Sequence, residues 1–162
     1  VRFLVDPSEA RLARARAPVR AFLAFAALAV AALLLQRATG GGLSPAEVDL
    51  HYLGTGEGDA LPRAALWEEL HAGAFLYGFV LFMLGSILGV CRLRPAVRTA
   101  LFATALTAAL ADLAAPFLVV ALGGGGALRV ATTLAATLAL AAAIAVTFVT
   151  FGPPPALGKA NG

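Results

Sequence analysis

The stretch Thr99–Leu122, TALFATALTAALADLAAPFLVVAL, carries a single charged residue, Asp112, in a run of otherwise apolar and small side chains. Crossing the hydrocarbon core of a bilayer takes about 20 such residues at 1.5 Å rise per residue, so this run predicts a transmembrane helix. Three further runs read the same way: Val19–Gln36, Ala72–Cys91 and Val130–Phe151. The predicted fold is an all-α, four-helix transmembrane bundle forming a single integral membrane domain over 1–162. Its spans are 19–36, 72–91, 99–122 and 130–151, joined by one long loop at 37–71 and followed by a disordered tail at 152–162.

With 60% hydrophobic and 13% charged residues, the chain holds no soluble enzymatic lobe. The segments between spans are too short to bury a core alone, so any chemistry must lie between helices or under the long loop. The net charge of +3 does not point to nucleic acid, because the basic residues flank apolar spans. Arg2, Arg11, Arg14, Arg16, Arg20, Arg92, Arg94, Arg98 and Lys159 fall on one side of the predicted topology, and Arg37, Arg63 and Arg129 on the other. That bias predicts both termini in the cytoplasm and the 37–71 loop outside it, in a cell inner membrane. The first span reads as an uncleaved anchor rather than a removed signal, since its apolar run exceeds the usual length of such signals.

Cap chemistry places helix starts. Asp6-Pro7-Ser8-Glu9 predicts one at the N-terminus, running to about Arg16, with Pro18 marking entry to the first span. Ser44-Pro45-Ala46-Glu47 predicts another in the long loop, ending at Gly54. That short helix shows no convincing apolar stripe; Tyr52 and Leu53 are expected at the membrane surface. Leu61-Pro62 opens a helix that continues into the second span, with Trp67 at headgroup level. The glycines of 54–58 superficially suggest a phosphate loop, but no Gly-Lys-Ser/Thr follows and two carboxylates interrupt it.

Helices in lipid associate through small residues. In the last span Ala131, Ala135, Ala139, Ala143 and Thr147 recur at every fourth position, and in the second Gly78, Gly85 and Gly89 share a face with His71 within about 40°. Both stripes are expected to bury helix contacts, as is the Asp112 face of the third span with Leu101, Thr104, Ala105, Ala108 and Ala115. Phe75, Phe79 and Phe82 are expected to meet lipid. Cys91, the sole cysteine, reads as a small apolar residue at a helix end.

Asp112 lies ten residues before Leu122, or about 15 Å down the helix, near the bilayer midplane. An Asp there costs roughly 2.5–3.5 kcal/mol on insertion scales and therefore demands a partner or a function. Depth matching nominates Tyr77, Thr133 and Thr137 as partners, and Pro116 frees a backbone carbonyl on the same face. His71 starts the second span and His51 lies in the long loop. Together they are the candidates for haem b or a divalent metal, though no His-x-x-x-His, cysteine pair or Met-rich motif accompanies them.

Three functions follow. The first is a non-catalytic subunit or accessory protein of a larger membrane complex, or a homo-oligomer, with no cofactor. The second is a small proton-coupled transporter using Asp112. The third is an electron-transfer subunit holding haem b or metal through His71 and His51.

Overall fold

The computed structural model describes residues 9–56 and 59–151. The described chain is all-helical: α1 (Glu9–Gly40), α2 (Pro45–Leu53), α3 (Arg63–Val90), α4 (Pro95–Leu122) and α5 (Gly126–Thr150). All but α2 contain a stretch long and apolar enough to span a membrane, Arg14–Gly40 in the case of α1. The chain is a four-helix transmembrane bundle. Residues 6–8 of the first predicted cap and the tail from 152 lie outside the described residues.

The spans run alternately up and down, and α5 packs most extensively against α4 and also against α1 and α2. The α1–α3 seam is the least filled of the neighbouring pairs. The main core is apolar: Leu23 and Ala26 of α1 meet Leu84 and Leu88 of α3, Ala105 and Ala109 of α4, and Leu140 and Ala143 of α5. At the other end of the bundle, α2 lies across α4 and α5 as a cap. Val48 and Tyr52, one turn apart on its inner face, pack with Leu66 and Val119 in a second apolar cluster.

Local chemistry explains these boundaries. Ser44 Oγ accepts from the Glu47 amide at 3.3 Å, and Glu47 accepts from the Ser44 amide at 3.2 Å, which closes a capping box at the start of α2. Asp49 accepts from the Gly126 amide at 2.8 Å, tying α2 to the N-terminus of α5, where a carboxylate also meets the positive end of the helix dipole. A Cβ at Gly126 would collide with the Pro45 carbonyl, so glycine lets the two backbones touch. At the far end, Arg98 donates to the Gly89 carbonyl at 2.6 Å, satisfying an orphan acceptor of the last turn of α3.

Several expectations change. Pro18 sits inside α1 instead of dividing two helices. Val48 and Tyr52 form a buried face that the sequence reading missed, while Leu50 is exposed. The every-fourth-residue stripe of α5 is misphased: Ala131 and Ala135 are exposed and Ala139 is half-buried, while Ala143 and Thr147 are buried. Four-residue steps drift about 40° each around a helix of 100° per residue, so five of them cannot hold one face. The buried face instead follows Gly126, Arg129, Thr133, Ala136, Leu140, Ala143 and Thr147, in alternating steps of three and four, with Ile144 beside it. In α3, Gly78 and Gly89 are exposed with no neighbour where a Cβ would stand, and Gly85 alone of the three meets another helix, at the Phe102 ring. Leu101, Ala105, Ala108 and Ala115 do face inward on α4, but Thr104 is exposed. Phe75, Phe79 and Phe82 point outward from α3.

Candidate functional site

Asp112 is fully buried between the main core and the apolar cluster under α2. Its two carboxylate oxygens receive donors from all three other spans. Oδ2 accepts from Tyr77 Oη of α3 at 2.7 Å and from Arg37 Nη1 of α1. Oδ1 accepts from Thr133 Oγ1 at 2.8 Å and from Arg129 Nη1 at 2.8 Å, both of α5. Arg37 Nη1 also donates to the Tyr77 hydroxyl at 3.1 Å. Charge-assisted bonds of this kind are roughly twice as strong as neutral ones.

Pro116 explains why Arg129 binds where it does. With no N–H at 116, the carbonyl of Asp112 loses its partner one turn later in α4. Arg129 Nη1 takes that place, donating to the Asp112 carbonyl at 2.6 Å. One guanidinium thus satisfies both the side chain and the backbone of Asp112.

The network continues toward the cap. Arg129 Nη2 is paired with Glu69 of α3, and Glu69 accepts from the Tyr52 hydroxyl of α2 at 2.8 Å. Two guanidiniums, Arg37 and Arg129, therefore stand against two carboxylates, Asp112 and Glu69, and the formal charges cancel. Burial pushes the Tyr52 phenol up to about 12; Arg129 opposes the rise and Glu69 adds to it. Tyr52 thus stays a proton donor across the physiological range.

Beside this network lies a cavity of about 440 Å³ under α2, reaching Arg37, Glu69, Arg129 and Thr133. His51 lines it, its ring edge-on to Tyr52 at a centroid distance of 4.9 Å. His71 does not; it is exposed on α3 in a shallow groove with Trp67. Among the described residues no group of three or more His, Cys, Asp or Glu is placed to hold a metal ion. The two histidines line different cavities.

Of the residues nominated from sequence, Tyr77 and Thr133 reach Asp112, whereas Thr137 donates to the Thr133 carbonyl of its own helix at 2.8 Å. Cys91 is buried at the end of α3. Sequence reasoning missed Arg37, Arg129, Glu69 and Tyr52. A signal existed: two of the three arginines on the sparsely basic side adjoin spans, where a long side chain can turn inward to meet a buried acid.

The chain belongs to the Aq_1264_TM family of transmembrane helical domains, whose model matches residues 42–153. The matched segment takes in α2 to α5, hence every member of the network except Arg37. No curated protein and no solved structure matches the chain.

Proposed function

We propose that this Aq_1264_TM family protein is a non-catalytic subunit or accessory protein of a larger membrane complex. In this reading it sits in the inner (cytoplasmic) membrane with both termini in the cytoplasm and α2 on the opposite side, as the basic residues favour. The observation that carries the proposal is the closure of the Asp112 network. The one carboxyl deep in the membrane is held by four side-chain donors from three other spans, two of them guanidiniums. A carrier's titrating acid must meet its cargo and change partners, whereas this one fastens the bundle together.

The surface supports the same reading. Gly78, Gly89, Ala131 and Ala135 are small residues that the bundle leaves uncovered. Such surfaces let a partner helix approach closely, and lipid does not need them.

Gentle solubilisation of the full chain from its native membrane, followed by affinity capture and mass measurement, tests the proposal. A stoichiometric heteromer is expected, and Asp112→Asn protein that still folds should retain it. A clean homo-oligomer would overturn the accessory role. The alternative, a proton-coupled carrier, draws on the cavity that reaches Arg129 and Thr133. It requires that folded Asp112→Asn protein in proteoliposomes lose an uptake activity that wild type shows. For topology, Thr55→Cys and Arg94→Cys should react with impermeant reagents from opposite sides.

A further inference from the structure

The end of the bundle away from α2 carries charge of one sign. Arg14, Arg16 and Arg20 of α1 lie there, with Arg92, Arg94 and Arg98 around the α3–α4 turn. No Asp or Glu stands between Ala10 and Gln36, between Leu70 and Ala111, or after Asp112. The three arginines of α1 make no hydrogen bond or ion pair among the described residues. Arg20 is the one held in place. Its guanidinium stands over the Phe148 ring of α5, with its carbon 5.3 Å from the ring centroid. Stacking on an aromatic face leaves the in-plane N–H groups of a guanidinium free to donate sideways. Nε is enclosed, but Nη1 and Nη2 reach the surface. Arg16 lies one turn further out on α1, about 40° round the helix, and is half-buried like Arg20. Phe148 belongs to the last turn of α5, so both guanidiniums stand where a spanning helix ends and lipid headgroups begin.

We infer that Arg20, with Arg16 beside it, holds the phosphate of an anionic phospholipid where α1 meets α5. The phosphodiester accepts from Nη1 and Nη2 of Arg20 in two parallel bonds, the geometry that suits a planar guanidinium. The surroundings choose the headgroup. Ethanolamine or choline would bring an ammonium among arginines, with no carboxylate to receive it. Phosphatidylglycerol brings no cation, and its net negative charge is answered by the protein.

The test places the full chain in nanodiscs of equal parts phosphatidylglycerol and phosphatidylethanolamine and reads the retained lipid by native mass spectrometry. Wild type should retain phosphatidylglycerol in preference. Arg20→Gln should weaken that preference at least about tenfold, since charge-assisted bonds to the phosphate are lost. Phe148→Leu changes no charge and should weaken it about threefold, by removing the ring that holds the guanidinium. Arg14→Gln removes the same charge as Arg20→Gln from an exposed residue and should cost less than either. The three positions lie in the half of the bundle away from Asp112, and circular dichroism should match wild type; if Arg20→Gln fails to fold, Phe148→Leu decides. Equal losses in Arg14→Gln and Arg20→Gln would mean diffuse attraction by net charge and overturn the inference. Wild-type preference in Phe148→Leu, or displacement of the lipid by soluble glycerol phosphate, would overturn it as well.

Discussion

Replacing Asp112 by Asn changes one oxygen to an amide nitrogen and almost nothing in volume. The wild-type carboxylate accepts on both sides: Arg37 and Tyr77 at Oδ2, Arg129 and Thr133 at Oδ1. Whichever way the new amide turns, its NH₂ faces a guanidinium, which has no lone pair to offer. The hydroxyl beside it can rotate to accept, but the guanidinium cannot. Two cations then share one neutral acceptor inside a lipid-surrounded core, with Glu69 left as the counter-charge for Arg129 alone. Removing one partner of a buried ion pair costs about 3–5 kcal/mol. By contrast, single hydrogen bonds between membrane helices average about 0.6 kcal/mol, because the unfolded chain in the membrane also finds partners. The two scales separate cleanly. Asp112→Asn should lose about 3–5 kcal/mol and Thr133→Val less than about 1.7. The assay is unfolding by sodium dodecyl sulfate in mixed micelles, followed by helicity and by Trp67 fluorescence. Trp67 packs at 5.1 Å against Phe117, so it reports the α3–α4 contact. Adding Arg37→Met to Asp112→Asn removes a stranded cation and should restore part of the loss, by more than about 1 kcal/mol. An Asp112→Asn protein within about 1 kcal/mol of wild type, or a double variant at the sum of the singles, would refute the closed-network account.

The cap supplies the remaining predictions. Gly126→Ala drives a methyl into the Pro45 carbonyl and should cost about 1–3 kcal/mol; hydrogen exchange should accelerate across α2 and leave the middle of α4 protected. Ser44→Ala should cost about 1 kcal/mol through loss of the capping box. The hydrogen bonds from Ser44 hold the Glu47 carboxyl below its ordinary value of 4.5, so its contribution is present above that value. Protection factors in wild-type α2, taken relative to intrinsic exchange at each pH, should therefore fall as pH drops through the depressed native value, and Ser44→Ala should flatten that dependence. Tyr52 shifts the other way: its phenol rises from 10.0 to about 12, so its contribution is full below 10.0 and is lost as pH rises through 12. Melts across that alkaline window should steepen for wild type relative to Tyr52→Phe; parallel curves would dissociate Tyr52 from the fold's alkaline sensitivity.

What could be read from sequence was whatever depends on length and depth. Helical rise is fixed, so counting from the span ends brought Tyr77 and Thr133 to the level of Asp112 and marked the carbonyl freed by Pro116. Rotation around the helix axis is less forgiving. A regular four-residue repeat in α5 looked like a packing face, and the drift per step turned most of it outward. Arginine was the harder case. Arg37 and Arg129 sit at span ends, where the side chain has two apolar-stemmed routes, one to water and one into the bundle. Sequence alone shows the stem and not its direction; the direction is set by Asp112, which lies 75 residues from Arg37 and 17 from Arg129. The burial of Val48 and Tyr52 was hidden for a similar reason, since one turn of helix makes too short a pattern to stand out.

The long sequence distance between Arg37 and Asp112 bears on how the protein is made. During synthesis the first helix enters the membrane well before the ribosome has produced its counter-ion. Until α4 arrives, the guanidinium near the end of α1 must remain at the interface, in contact with water or lipid phosphate. Drawing it inward then adds a polar latch between that helix and those that follow, beside the apolar contacts of Leu23 and Ala26.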